Sequence, residues 1–381
     1  MNKSHFLIRY AEIALKGGNL SYFENQLIKN IKISLDKNVE VEKQRKQLLA
    51  TVPSTLINQS VKKLSQIFGI AWFAQIHQSP STLEDISKVA RKIIGNPKSF
   101  AIRASRSDKH LPFTSQDLAI KVGSDVAQST KAKVDLTNPE TNLYISAATH
   151  TTYLYTQKIS GPGGLPVGTS GKILSLLSGG FDSIAASYLL GKRGAQVDFL
   201  HFHVFPNPDK VLDSKIKTIV NTLSNSTLSK KLLLASYTPY QMAILDLANK
   251  QVQHELVVFR RLMARVGESI AKEHGYQALV LGDSLGQVAS QTMETIVAVD
   301  QAVNIPIFRP LIGIDKIDII DLVKKIGLEK ETNLPYKDCC SIVSKSPAIK
   351  ANLEKITKIE ENIKINNITN EIVNQTKTIN L

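Results

Sequence analysis

Cysteine is almost missing from this chain: two residues in 381, adjacent at Cys339 and Cys340. Two thiols cannot build a disulfide framework or a four-cysteine zinc site. No uninterrupted apolar run reaches the length of a membrane-spanning helix, so no membrane partner is expected. The opening residues, Met1-Asn-Lys-Ser-His-Phe-Leu-Ile-Arg-Tyr10, lack the long apolar stretch and small-residue cleavage site of a secretory signal. These absences together point to a cytoplasmic protein. A Walker A loop is missing too. Its nearest approximation, Gly171-Lys172, has Ile173 where Ser or Thr is needed and Pro166 in place of the first glycine. Motor-type and switch-type ATPases are thereby excluded.

What the chain has in excess is positive charge, 47 Lys plus Arg against 33 Asp plus Glu. The surplus is uneven. Residues 1–170 carry a net charge of +10 and residues 171–381 carry +4. A basic half beside a nearly neutral one suits a polyanion-binding module joined to a catalytic one, although a lysine-rich solvated surface has the same composition. The length calls for more than one core.

The seam is Gly161-Pro-Gly-Gly-Leu-Pro-Val-Gly-Thr-Ser-Gly171, with five Gly and two Pro that no helix or strand interior accepts. Before it, strands are expected over residues 6–10, 101–105, 143–147 and 153–157. Helices are expected after a Ser21/Glu24 capping box, over residues 54–68, and after Thr114 and Asp117, with Leu118, Val122 and Val126 facing a core. This is an α+β pattern in two small units meeting near residue 60. After the seam the order becomes strand (173–177), helix (182–192), strand (197–203), long helix (255–273), strand (278–281), and a helix starting near Ser284. Alternation of this kind predicts an α/β unit with a parallel sheet covered on both faces. Residues 353–381 read as one amphipathic helix with a frayed end.

The chemistry concentrates at Ser178-Gly-Gly-Phe-Asp-Ser183, between a buried strand and a helix. Small residues let backbone N–H groups approach phosphate oxygens, and the helix N-terminus adds partial positive charge. Asp182 is the odd member, since a carboxylate repels phosphate; holding Mg²⁺ or orienting donors accounts for it. Ser-Gly-Gly alone favours a plain strand-to-helix turn; with Asp182 and Ser183 in this setting the nucleotide site is the stronger reading.

The motif resembles the PP-loop of ATP pyrophosphatases, which adenylate a substrate and release pyrophosphate. Three segments narrow the resemblance: Phe259-Arg-Arg-Leu-Met-Ala-Arg265, Leu281-Gly-Asp-Ser-Leu-Gly-Gln-Val-Ala-Ser-Gln-Thr292 and Arg309-Pro-Leu-Ile-Gly-Ile-Asp-Lys316. With Ala11-Glu-Ile-Ala-Leu-Lys-Gly17, where a Gly usually stands at the position of Ala11, they are similar to the tRNA 4-thiouridine synthetases. Phe100-Ala-Ile-Arg-Ala-Ser-Arg-Ser-Asp-Lys109 resembles that family's THUMP RNA-binding domain. The resemblance runs from about residue 5 to 351. It implies a ferredoxin-like domain (1–60), a THUMP domain (61–165), a linker (161–171), a PP-loop ATP pyrophosphatase domain (172–351) and a C-terminal tail (352–381).

The resemblance also implies site residues. ATP contacts fall on Leu176, Leu177, Ser178, Gly179, Gly180, Ser183, His201, Phe202, Arg260, Gly282 and Gln291, with Asp182 and Lys316 at the adenylation centre. Without the family, Arg260 and Lys316 read as surface cations, and His201 with His203 as alternate faces of a strand end. Arg103, Arg106 and Lys109 would meet tRNA, through shape and backbone rather than base edges; each alone is also a solvated charge. Cys340 matches the family's sulfur-carrying cysteine, and Lys337 and Lys345 nearby would favour its thiolate. Cys339 is either a resolving thiol or a packing residue. Many members continue into a rhodanese-like domain that holds the persulfide. This sequence has no third cysteine, so a separate donor, such as a cysteine desulfurase, is expected to load Cys340.

The implied activity is ATP- and Mg²⁺-dependent thiolation of uridine 8 of tRNA to 4-thiouridine. Other expectations stay open: sulfur delivery to a sulfur-carrier protein of thiamine biosynthesis, another PP-loop tRNA-modifying enzyme, a catalytically silent tRNA-binding protein, and a homodimeric state.

Overall fold

The computed structural model describes residues 3–10, 12–36, 39–44, 46–245, 252–288, 291–337, 339 and 351–381. The chain divides into two compact units, Met1–Gly163 and Gly164–Leu381, at the Gly/Pro-rich seam. No helix among the described residues is long and apolar enough to cross a membrane.

The first unit is built on one sheet of nine strands: β1 (Lys3–Arg9), β2 (Glu40–Gln44), β3 (Gln47–Pro53), β4 (Trp72–Ser79), β5 (Ser99–Arg106), β6 (Lys133–Val134), β7 (Thr141–Ala147), β8 (Thr152–Tyr155) and β9 (Ile159–Ser160). The main path runs β2-β3-β1-β4-β8-β7-β5-β6, and β9 pairs with β4. Strand β4 joins the two halves. Its residues 72–76 pair with β1, and its residues 77–79 continue onto β8. Helices α1 (Leu20–Ser34) and α2 (Ile57–Leu64) cover the first half. Phe6 and Ile8 of β1 point into that core with Leu27, Ile31 and Leu64, while Leu7 faces the opposite side against Tyr153 and Tyr155. Helix α2 runs through the boundary expected at residue 60, and the core it joins extends to Ile70 and Phe73.

Helices α3 (Leu83–Ile93) and α4 (Ser115–Thr130) cover the second half. Thr114 and Asp117 form the expected capping box of α4, and Leu118, Val122 and Val126 are buried. The capping box expected at Ser21 is not formed. Helix α1 begins two residues earlier, behind Asn19, Ser21 Oγ accepts from Lys43, and Glu24 is buried against the Tyr10 hydroxyl. A carboxylate that close to a phenol is held by its tertiary partner rather than by its own helix terminus.

The second unit contains β10 (Lys172–Leu176), α5 (Phe181–Lys192), β11 (Gln196–His203), α6 (Lys215–Thr227), β12 (Lys231–Ser236), α7 (Thr238–Ile244), α8 (Glu255–His274), β13 (Ala278–Val280), α9 (Met293–Asp300), β14 (Ile307–Phe308), α10 (Lys316–Ile326), α11 (Glu329–Thr332), α12 (Leu353–Asn362), α13 (Ile365–Gln375) and β15 (Lys377–Asn380). The sheet order is β14-β13-β10-β11-β12-β15. Every pairing is parallel except the last. The central strand β11 is buried over residues 197–203, as a strand covered on both faces must be. One face packs α8, α12 and α13, and the other packs α5, α6 and α10.

Two expectations change here. The end of the chain is not a single frayed helix: α12 and α13 complete the core, and β15 adds an antiparallel edge to β12. No helix starts at Ser284. Residues 284–288 form a turn, and the next helix begins at Met293 behind the Thr292 cap.

Helix α12 is fastened by charge. Glu360 accepts paired hydrogen bonds from Arg261 (2.6 and 3.0 Å) and Arg265 (2.6 and 2.8 Å), and its side chain is 5% exposed. Burial alone would raise this carboxyl, but hydrogen bonds and charge from the two arginines outweigh it and hold it below the ordinary value of 4.5. Breaking a buried pair leaves an uncompensated charge, so Glu360→Gln is expected to cost about 3 kcal/mol at neutral pH. A lowered carboxyl contributes stability above its unfolded value and loses it as pH falls through the folded one. The gap between wild type and variant therefore closes in acid, which urea unfolding at neutral and acidic pH measures.

Candidate nucleotide site

Strand β10 delivers the chain to the carboxyl edge of the sheet, where residues 177–180 turn into α5. Gly179 holds φ +83°, and a Cβ there would lie 2.5 Å from Ile216 Cδ1. Serines lock the turn from within. The Ser178 N–H donates to Ser183 Oγ (3.2 Å), the Gly180 N–H donates to Ser178 Oγ (3.3 Å), and the Ser183 hydroxyl donates to the Gly180 carbonyl (3.1 Å). Gly180 is the N-cap of the 12-residue helix α5 and supplies no side-chain cap, which leaves the helix N-terminus open to an anion.

Above this turn lies a cavity of about 440 Å³ at the crevice where open α/β sheets bind ligands. One part of its wall is apolar: Leu176, Leu200, Phe202, Leu256, Met263, Leu281 and Val288. The other part is polar, with Ser178, Asp182, Ser183, Arg260, Asp283 and Gln291. Leu177, Gly282 and Cys339 complete it. Gln291 Oε1 is buried with no hydrogen-bond partner among the described residues, an acceptor that a ligand donor could satisfy.

Charges are paired around the cavity. Lys316, the first residue of α10, donates to Asp182 Oδ1 at 2.6 Å across 134 residues of sequence, and Gln287 Nε2 donates to Asp182 Oδ2 at 3.1 Å. Arg260 meets Asp283 Oδ1 at 2.5 Å, and Arg309 Nε meets Asp283 Oδ2 at 2.9 Å. Arg309 continues to Asp300 at 2.7 Å. Asp283, Arg309 and Gln287 were not singled out from the sequence. Asp283 follows Gly282 at a strand end, which is the one local signal it carries.

The expected site residues sort into groups. Leu176, Leu177, Ser178, Asp182, Ser183, Phe202, Arg260, Gly282 and Gln291 share the cavity wall, and Lys316 reaches it through Asp182. Gly179 and Gly180 shape the turn beneath. The His201 imidazole is fully buried behind the loop. Nδ1 lies 2.7 Å from the Leu177 carbonyl and Nε2 lies 2.7 Å from the Tyr336 hydroxyl. Burial, partly offset by the Leu177 hydrogen bond, lowers its pKa to about 4. Arg260 is a buried, paired wall residue rather than an exposed helix charge. Gln291 precedes α9 instead of riding on a helix. Cys339 is 1% exposed and belongs to the apolar cluster under α8. Cys340 and Lys345 lie outside the described residues. Among the described residues no group of three His, Cys, Asp or Glu could hold a metal by itself.

Gly282 is needed for a different reason from ligand approach alone. A Cβ there would fall 2.7–2.9 Å from the backbone of Asp182 and Ser183. Gly282→Ala must push the start of α5 away, and overpacking of this kind costs about 1–3 kcal/mol. ATP affinity is expected to fall by roughly tenfold or more, read by calorimetric titration.

In the first unit, Arg103 donates to Asn142 Oδ1 (3.0 Å) and to the Leu136 carbonyl (2.7 Å) while remaining exposed. Arg106 serves structure. Its Nη1 donates to the Leu111 and Phe113 carbonyls at 3.2 and 2.8 Å, closing the loop that carries exposed Lys109. Arg103, Tyr144 and Tyr155 are register partners across three strands. Lys158 Nζ sits 4.1 Å over the Tyr144 ring and 4.9 Å over Trp72. The sequence reading missed this aromatic and cationic row, because its members come from four separate segments.

The loop, crevice and parallel sheet define an α/β nucleotide-binding enzyme. Comparison with known proteins makes this particular. The family described as Thiamine biosynthesis protein (ThiI) matches residues 168–365, its ferredoxin-like domain matches residues 5–74, and the THUMP domain matches residues 80–157. A probable tRNA sulfurtransferase of Caldanaerobacter subterraneus subsp. tengcongensis is 36% identical over 97% of this chain and 99% of its own. One from Thermoanaerobacter sp. is 37% identical over 96% and 98%. A crystal structure of a 4-thiouridine synthetase in complex with RNA and ATP superposes with a TM-score of 0.90, at 28% identity and full coverage of both chains. The chain belongs to the tRNA sulfurtransferase (ThiI) family.

Proposed function

We propose that the protein uses ATP to move sulfur onto uridine 8 of tRNA, giving 4-thiouridine. The observation that carries this reading is the cavity itself, in which the Ser178–Ser183 turn, Asp182 with Lys316, and Arg260 converge beside an apolar pocket of nucleotide size. Its likeness to the ATP-bound 4-thiouridine synthetase supports the choice of nucleotide and of RNA as substrates.

ATP would lay its base against the apolar wall, with Gln291 Oε1 available to an exocyclic amine. Its phosphates would lie over the turn and the α5 N-terminus. The uracil C4 oxygen attacks the α-phosphorus and pyrophosphate leaves, which converts a poor leaving oxygen into an adenylate. Lys316 and Arg260 would stabilise charge as it develops on phosphoryl oxygens. Asp182 fits Mg²⁺ as a single carboxylate, since this ion at nucleotide sites takes one or two carboxylates and completes its shell with phosphate and water. When bound, Mg²⁺ would neutralise phosphate charge.

The second stage uses a persulfide on Cys340, loaded by a donor such as a cysteine desulfurase. Its outer sulfur attacks C4, and the C4–O bond breaks as AMP departs. A second thiol, Cys339 or an external one, then cuts the S–S bond, leaving sulfur on the base and a disulfide on the protein side. Arg103, Lys109, Lys158 and the Tyr144 ring would hold RNA in the basic unit by charge and stacking.

The experiment is reconstitution with purified protein, tRNA, ATP, Mg²⁺, cysteine desulfurase and cysteine. Appearance of the near-ultraviolet absorbance of 4-thiouridine, dependent on ATP and accompanied by pyrophosphate, is the expected result. No 4-thiouridine from this complete mixture would overturn it.

A further inference from the structure

We infer that His201 and Tyr336 form a strut that positions the chain entering the cysteine pair against the phosphate-binding turn. The inference rests on the proposal that this pair handles the sulfur. Leu177 is the first residue of the turn, and its carbonyl can only accept, so His201 Nδ1 carries the proton. The imidazole is neutral at physiological pH because burial lowers its pKa to about 4. Nε2 is then an acceptor, and the Tyr336 hydroxyl donates to it at 2.7 Å. Each polar atom in the chain Tyr336–His201–Leu177 has one available role, so the arrangement has a single sense.

Tyr336 lies three residues before Cys339, which returns to the cavity wall. The same short stretch is fixed from α6. Lys215 Nζ donates to the Thr332 and Leu334 carbonyls at 2.8 and 3.0 Å, and its neighbour Ile216 abuts Gly179 of the turn. Phe205 packs edge-on to the Tyr336 ring at 6.1 Å. Two routes thus tie residues 332–336 to the loop under the phosphates. His201 does not line the cavity. Its function in this geometry is to set where Cys339 stands relative to the cavity, which makes it and Tyr336 positioning residues.

The test uses Tyr336→Phe, which keeps the ring and removes the donor, and His201→Asn, whose amide can still donate to the Leu177 carbonyl but no longer reaches Tyr336. In a Cys340→Ser background Cys339 is the single thiol of this sequence. Loss of one buried hydrogen bond should raise its iodoacetamide alkylation rate about fivefold in either variant. With both cysteines present, 4-thiouridine formed per pyrophosphate released should fall by a similar factor, and the double variant should be no worse than either single one. An unchanged alkylation rate overturns the strut. So does a parallel fall of thiouridine and pyrophosphate at a constant ratio, which marks general destabilisation. The alkylation arm needs neither tRNA nor a sulfur donor. It therefore reads the strut even if the wild type makes no 4-thiouridine, a failure that would strike the functional proposal alone.

Discussion

Asp182→Ala is expected to release pyrophosphate about 10²–10³-fold more slowly than wild type, the scale set by removing one preorganised charge from a transition state, while binding tRNA with unchanged affinity. Asp182 is the meeting point of three parts of the second unit: the helix behind the turn, Lys316 at the head of α10, and Gln287 from the 284–288 turn. Its loss leaves Lys316 without its carboxylate and removes the one acidic side chain of the turn. The surplus positive charge lies in residues 1–170, so tRNA binding should persist with its steep salt dependence. A pyrophosphate assay beside a filter-binding titration separates the two effects. Full turnover by the variant would remove Asp182 from the reaction.

Cys340→Ser is expected to abolish 4-thiouridine formation while tRNA-dependent pyrophosphate release continues. A hydroxyl cannot carry persulfide sulfur, but attack of the uracil oxygen on the α-phosphorus makes no use of a thiol. The adenylated tRNA would then be trapped or hydrolysed, and pyrophosphate would appear without thiolation. Cys339→Ser distinguishes the two readings of Cys339 itself. As a packing residue in the apolar cluster it should lower melting temperature and leave thiolation per enzyme intact. As a resolving thiol it should support one turnover and then stall until an external thiol is added. Thiolation by Cys340→Ser at the wild-type rate would overturn the assignment of the sulfur carrier.

Much of the phosphate turn was legible because its parts are consecutive in sequence: strand, Ser-Gly-Gly, helix. The capping box of α4 was legible for the same reason. The Asp182–Lys316 contact spans 134 residues, and no local periodicity contains it; only the family resemblance placed both near one centre. His201 shows a different limit. Alternation along β11 cannot say which side chains meet the crevice when both faces of the strand are buried. Arg106 was read by its charge, yet its guanidinium is used on the carbonyls of the following loop. The last strand was missed because Lys377-Thr-Ile-Asn380 carries one apolar residue, and its reason to be extended is the edge of β12, nearly 150 residues earlier.

That late strand has a consequence for how the enzyme comes into being. A ribosome delivers the chain from its N-terminus, and domains generally fold as units as they emerge. The basic unit can close as soon as β9 is out. The catalytic unit cannot, because the edge of its sheet and the α12–α13 layer follow every other described element of that unit along the chain. During the interval β12 offers an unpaired edge, the kind of surface on which chains associate wrongly. A stalled or shortened product would therefore hold a finished basic unit without a finished cavity and, on the proposal that this unit holds RNA, would occupy RNA without modifying it.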